Sequence, residues 1–365
     1  MHIARALELA RLAIGITEPN PRVGCVIVSG DGTRVLAEGH TQPAGQAHAE
    51  IMALRDAAAR GHDVRGATAY VTLEPCAHHG RTGPCCDALI AAGIDRVVAS
   101  LADPNPLVAG QGFARLRAAG VSVEIGPGAE AARELNLGFF SRMVRGQPWV
   151  RMKIAASLDG QTALANGASQ WITGEAARAD GHAWRARAGA LLTGIGTVLQ
   201  DNPRLDVRLA PVGRQPPLVV VDSRLQTPPD AALFDVPGRP VWIYAAADQP
   251  PAQERLRARG ATVTHLPDAG GKVDLAALLK DLGGRGVNEL HVEAGFKLNG
   301  SLLREGLVDE FLVYLAPRLL GPGQGMVNIG PLAQLDEAVA LEFSSVERVG
   351  ADLRVLARLP GRTAF

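Results

Sequence analysis

The chain has 365 residues, and 47% of them are hydrophobic, enough for ordinary buried cores and against a disordered chain. Lys plus Arg and Asp plus Glu number 37 each, and aromatics make up 4%, so the basic, aromatic-studded stripe of a nucleic-acid binder is missing. At roughly 150 residues per domain, the length points to two domains.

The opening stretch MHIARALELARLAIG places Ile3, Leu7, Ala10 and Ile14 on one helical face. Arg5, Glu8 and Arg11 interrupt any apolar leader core, so a core-packed helix is expected there and not a targeting segment. No apolar run approaches the roughly 18 residues of a membrane span. The four cysteines do not suggest a disulfide framework. A reducing cytoplasm is the expected setting, where clustered thiols more often hold metal.

Strands are predicted at 22–30 and 33–38 around Asp31-Gly32, then a helix at 47–60 and a strand at 67–73. A helix at 85–92, a strand at 95–100, a helix at 111–119 and a strand at 121–125 follow. After GPG at 126–128, a helical connection leads to Gly146-Gln147-Pro148, where the alternation restarts. The strands WVRMKIAAS, ALLTG, PLVVVD, PVWIYA, ATVTHL, ELHVE and EFLVYLA, with a helix near 175–188, predict a second domain. The expected organisation is therefore two α/β domains, 1–146 and 147–365.

Within the first domain, His48-Ala49-Glu50, Pro75-Cys76 and Cys85 supply one imidazole, two thiolates and a nearby carboxylate. Three donors suit a tetrahedral zinc with one position left for water. Glu50 is placed to move the water's proton to a leaving amine. This set is also the handmark of zinc nucleobase deaminases. A structural zinc knuckle is the bland alternative, but it would need a fourth ligand. Cys86 adjoins Cys85 and is awkwardly placed for that, so Cys86 and Cys25 read as core residues. Eight residues, AHHGRTGP, separate Cys76 from Cys85 where deaminases usually have two. That loop would bring His78, His79 and Arg81 to the mouth of a site for a phosphorylated substrate, or it is simply a solvated loop.

The second domain has no dinucleotide-binding glycine pattern, since GIGTVL at 194–199 fails at its last position. The strand ELHVE ends instead in a glycine turn that opens a helix at 295–301, offering free N–H groups to a phosphate unless it is an ordinary turn. Arg185 and Arg208 are either guanidinium forks for a phosphate or solvated charges. Lys153 interrupts an apolar strand, which favours a cleft position over unpaired burial.

Taken together, PNPRVGCVIV (19–28), HAEIMAL (48–54), ATAYVTLEPCAHHGRTGPCCDALI (67–90), ADPNPLVAGQG (102–112), KIAASLDG (153–160), SQWITG (169–174), GIGTVLQDNPRLDVR (194–208) and VEAG (292–295) resemble one family. It is the bifunctional deaminase/reductase of riboflavin biosynthesis, and the resemblance covers both domains in the family's order.

The resemblance implies a cytidine-deaminase-like α/β/α sandwich followed by a dihydrofolate-reductase-like α/β domain. It implies zinc-dependent deamination of a diaminopyrimidine ribotide, then NADPH-dependent reduction of its ribosyl group to ribityl. By this likeness His48, Cys76 and Cys85 hold Zn2+ and Glu50 is catalytic, while Asn20, His78 and Arg81 contact the substrate. For the reductase it implies NADPH against Ala155, Trp171, Thr197, Asp201, Ser223, Gly295, Phe296, Lys297, Leu298, Asn299, Gly300 and Ser301. Its substrate would meet Ser169, Arg185, Leu205, Arg208 and Glu293, with Lys153 near the sugar. Family members often read Gly-Tyr-His where this chain has Gly39-His40-Thr41. A homo-oligomer is expected, with no nucleic acid or membrane as partner.

Overall fold

A computed structural model of the chain describes every residue except 79–82 and 106–107. The chain forms two compact units, Met1–Gly146 with Phe365, and Gln147–Ala364. No helix among the described residues is long and apolar enough to cross a membrane.

The first unit runs α1 (His2–Arg11), β1 (Gly24–Val28), β2 (Val35–His40), α2 (Ala49–Ala59), β3 (Thr68–Val71), α3 (Cys85–Ala91), β4 (Arg96–Ala99), α4 (Gln111–Ala118), β5 (Ser122–Ile125), α5 (Ala129–Leu135) and α6 (Leu137–Arg145). Its sheet has the order β2-β1-β3-β4-β5. β1 is antiparallel to both neighbours, and β3, β4 and β5 are parallel. β1 is buried throughout, so its alternate residues serve two helical layers. Cys25 and Ile27 join a core with Ala49, Ala53 and Ala57 of α2 and Leu89 of α3. Val26 and Val28 join another with Ala6 and Leu9 of α1. That division makes the α/β/α sandwich. Cys86 is fully buried in the α2–α3 core, as its sequence position suggests.

The second unit runs β6 (Trp149–Ser157), β7 (Gln161–Leu164), α7 (Glu175–Arg187), β8 (Ala190–Gly194), α8 (Ile195–Asp201), β9 (Leu218–Val221), β10 (Val241–Ala245), α9 (Pro250–Ala258), β11 (Ala261–His265), α10 (Leu275–Gly284), β12 (Glu289–Val292), α11 (Phe296–Arg304), β13 (Glu310–Ala316), β14 (Gly323–Gly325), β15 (Glu342–Val349) and β16 (Asp352–Arg358). The main sheet has the order β11-β10-β9-β8-β12-β6-β13-β16-β15. Seven strands are parallel, and the β15–β16 hairpin adds antiparallel to β13. β8, β9 and β12 are buried at every residue, as expected of a parallel sheet covered on both faces, and β9 reads as a continuous apolar run.

The chain leaves β6, builds outward through β8 to β11, and returns to place β12 between β8 and β6. That reversal opens a crevice beyond the carboxyl ends of the strands, where open α/β sheets bind ligands. The β15–β16 hairpin was not among the predicted strands. A bulge between Phe343 and Ser345 breaks the alternation of β15, which is also largely exposed, so neither signal marks it.

Buried charge fixes the β6, β12 and β13 register. Arg151 is 2% exposed and pairs with Glu289 at 2.9 Å and with Glu310. Arg187 meets Glu289 at 2.7 Å, and Arg358 meets Glu310 at 2.7 Å. Each buried carboxylate thus has two cations, which is what makes its burial tolerable.

Candidate active sites

The first site forms where α2 and α3 begin. A Cβ on Gly39 of β2 would lie 2.4 Å from the Ala49 carbonyl oxygen, so only glycine lets α2 start this close to the sheet. His48 caps α2, Cys85 is the first residue of α3, and Cys76 lies on the loop after β3. His48 Nδ1 is 3.6 Å from Cys76 Sγ and 3.4 Å from Cys85 Sγ. All three ligand atoms fall within 4.8 Å of one another, the one such trio among the described residues. A tetrahedral zinc with bonds of about 2.3 Å to sulfur and about 2.0 Å to nitrogen sets N–S edges of about 3.5 Å. The donor set therefore fits zinc in both chemistry and spacing.

Cys76 is prepared as a thiolate. The Cys85 thiol, the Cys85 backbone N–H at 3.3 Å and the neighbouring His48 hold its pKa well below the usual thiol range. Glu50, in the first turn of α2, is 3% exposed. Burial, with the charge of Cys76 adding to it, pushes its carboxyl up to about 7.

His48, Glu50 and Cys76 line a cavity of about 390 Å³, together with Asn20, His78 and Thr41. Thr41 accepts from Val23 N–H at 3.2 Å, so its hydroxyl is engaged with backbone. Arg81, and His79 with it, lie outside the described residues. Asp103 and Asn105 also face this cavity. They belong to a stretch that carried the resemblance, yet no sequence signal gave them a role. Glu74 is another such residue. Its carboxylate accepts from the backbone N–H groups of Asp103 (3.0 Å), Gly110 (2.9 Å), Gly112 (2.9 Å) and Phe113 (3.3 Å). A Cβ on Gly112 would lie 2.0 Å from the Pro75 oxygen. One buried carboxylate thus ties segment 103–113 to the turn that carries Cys76.

The second site occupies the crevice at the strand ends of the second unit, a cavity of about 570 Å³. Ala155, Trp171, Thr197, Asp201, Gly295, Phe296 and Asn299 line it, as do Lys153, Ser169, Arg185, Leu205, Arg208 and Glu293. Ser223, Lys297, Leu298, Gly300 and Ser301 are not in its lining. Ser223 accepts from the Val273 N–H at 3.1 Å beyond β9, and Leu298 packs on the core. Lys297 and Leu298 lie in the first turn of α11. Gly295 precedes α11, no side chain caps that end, and the first N–H groups of a helix have no partner within it. That end and a cavity of this size suit the phosphates and bulk of a dinucleotide.

Glu293 organises the rest. Arg185 donates to it from Nε and, at 2.9 Å, from Nη2, while Lys153 Nζ lies 3.5 Å away and His291 Nε2 3.3 Å. Burial works against its charge, but Arg185 and Lys153 outweigh that and hold the carboxylate well below its usual range. Arg185 also donates to the Asp206 carbonyl at 2.9 Å, so its fork is a buttress within the protein. Arg208 is half exposed and bonds Asp206 at 2.5 Å. Leu205 has φ of +50°, a strained value for a bulky residue, and Arg239 bonds its carbonyl at 2.7 Å.

Residues 1–101 match the cytidine and deoxycytidylate deaminase zinc-binding region, and residues 148–355 match the RibD C-terminal domain. The riboflavin biosynthesis protein RibD of Escherichia coli K12 is 45% identical, over 96% of this chain and 97% of its own length. The chain belongs to the RibD family. The Aquifex aeolicus RibD is 39% identical over 95% of both chains. The solved Acinetobacter baumannii RibD shares 40% identity and superposes with a TM-score of 0.88, covering 98% of this chain and 97% of that one. A Thermotoga maritima deaminase/reductase of the same family gives 0.86 at 33% identity, with the same coverage. The RibD family thus accounts for both units and for both cofactors, zinc in the first and NADPH in the second.

Proposed function

We propose that this chain carries out two consecutive steps of riboflavin biosynthesis. The first unit hydrolyses the 2-amino group of 2,5-diamino-6-(5-phosphoribosylamino)pyrimidin-4(3H)-one. The second reduces the ribosyl group of the resulting 5-amino-6-(5-phosphoribosylamino)uracil to ribityl. The observation that carries this reading is the His48, Cys76 and Cys85 trio, of which His48 and Cys76 open with buried Glu50 onto one cavity.

In deamination, zinc on that trio would supply the Lewis acidity that brings water's pKa near neutrality. Glu50 takes a proton from water on its carboxylate and delivers it to the departing amine nitrogen. Its raised pKa suits both acts near pH 7. Asn20 hydrogen-bonds the polar edge of the pyrimidine, and His78 with Arg81 serves the phosphate end.

In reduction, NADPH supplies the hydride. The open N-terminus of α11, with Thr197, Asp201 and Trp171, holds the cofactor. Lys153 carries a proton at Nζ beside the sugar, Glu293 orients it, and Arg185 fixes Glu293. Arg208, whose side chain is half exposed, meets the ribotide phosphate.

The chain assembles with copies of itself, a reading supported by Phe343 and Val346, which are exposed on the edge strand β15. It works in the cytoplasm, where its free thiols stay reduced.

The test gives zinc-loaded protein the diaminopyrimidine ribotide and follows ammonia and NADPH absorbance. Ammonia without NADPH, then NADPH loss on its addition, is the expected result. Ammonia with no NADPH consumption would overturn the second half of the reading.

A further inference from the structure

His182 carries no part of the mechanism above, yet it lines the reductase cavity. It sits on α7 three residues before Arg185, so the two share a helix face. Its Nδ1 lies 3.2 Å from the backbone nitrogen of Arg208. A backbone N–H only donates, so Nδ1 is the acceptor, and a neutral ring must then carry its proton on Nε2. Burial, with Arg185 and Arg208 close by, pushes the ring's pKa down to about 4, which keeps it neutral at physiological pH.

Nε2 has no hydrogen-bond partner among the described residues. Nor is it among the sealed side-chain atoms that lack one. In a residue that is 5% exposed and lines the cavity, the surface left to Nε2 is cavity surface. Arg185 and Arg208 stand near it, together with Glu293 and Asp206, the carboxylates they pair with. Arg185 is spent on Glu293 and the Asp206 carbonyl, and Arg208 keeps donors free beyond its bond to Asp206. A neutral donor beside a cation with free N–H groups suits a phosphate monoester.

We propose that His182 is a substrate-binding residue of the reductase, donating from Nε2 to a phosphate oxygen of the ribotide beside Arg208. This rests on the reductase reading of the cavity. NADPH carries a phosphate monoester of its own, so the experiment separates the two sources.

Two substitutions divide the ring's functions. His182→Asn keeps an acceptor near the Nδ1 position and loses the Nε2 donor. His182→Gln places a donor near Nε2 and loses the acceptor. Steady-state reduction is measured with the aminouracil ribotide and with its dephosphorylated riboside, and NADPH affinity is measured by fluorescence. The expected result is a KM for the ribotide raised on the order of tenfold in His182→Asn, with His182→Gln near wild type. The riboside and NADPH constants stay unchanged.

The reverse pattern, Gln impaired and Asn normal, would show that the ring only anchors the Arg208 backbone, and the proposal fails. It fails too if neither variant changes, or if ribotide and riboside suffer alike. A loss confined to NADPH affinity would assign the donor to the cofactor and overturn it. Should wild type not oxidise NADPH with the ribotide, the reductase reading itself falls and takes the proposal with it.

Discussion

The two cavities solve different problems with different materials. The first gathers its reactive groups from residues 48 to 85, on two helix starts and one loop, and neutral groups line much of its wall. The second draws on residues from Lys153 to Met326 and is dense with charge. A resident metal supplies the first cavity's electrostatics, so the chain needs only three donors and a proton carrier. A diffusible cofactor supplies the second cavity's chemistry, so the chain must provide charge, shape and free backbone. Local spacing therefore encodes the first site, and topology encodes the second.

The sharpest break of this comparison is Glu50→Gln. Ammonia release should fall by roughly 10²–10⁴-fold, the usual worth of a positioned acid–base group. Bound zinc and reduction of supplied aminouracil ribotide should persist. Zinc content by atomic absorption and the two assays check this, and retained ammonia release would remove Glu50 from its role.

Next comes the frame of the second unit. Arg151→Met leaves Glu289 and Glu310 with one cation each, Arg187 and Arg358. We expect a loss of about 3 kcal/mol, the low end for a broken buried pair because those cations remain. All four tryptophans, at 149, 171, 184 and 242, lie in this unit, so their fluorescence reports its unfolding. Unchanged melting would show that the cluster is dispensable.

A smaller effect tests substrate capture. Arg208→Ala should raise the ribotide KM by about tenfold and spare NADPH affinity. A change in NADPH affinity alone would move Arg208 to the cofactor side.

The mildest test is acid. Glu293 and Glu310 have folded pKa values below their unfolded ones. Their contribution is fully present above the unfolded value of about 4.3 and is lost as pH falls through the folded values. The second unit's Tm should therefore be insensitive to these groups above about pH 4.3 and drop below it. A fall that began at neutral pH would point to other groups.

Much of the architecture was legible in the sequence. Buried parallel strands such as Ala190–Gly194 read as apolar runs, and their bounds agree with the sequence reading. His48 and Cys85 were placed at helix starts from residue pattern alone, and both stand there. Glu74 was not legible. Nothing local shows that its carboxylate gathers N–H groups from 103 to 113. Arg185 could be read only as a phosphate fork or a solvated charge, because its partners, Glu293 and Asp206, lie far away in sequence. His182 passed unnoticed for the same reason.

The sequence by itself pointed to two α/β units and to His48, Cys76 and Cys85 as one cluster with Glu50 beside it, because helix starts and metal-ligand spacing are short-range and chemically demanding. The tertiary structure alone decided which charges are spent and which stay open to a ligand. It returned β12 between β8 and β6, bringing Glu293 beside Lys153 and Arg185, and it set the Nδ1 of His182 against the Arg208 backbone. A charge declares its sign in the sequence, but its partner is fixed only by where the strands end.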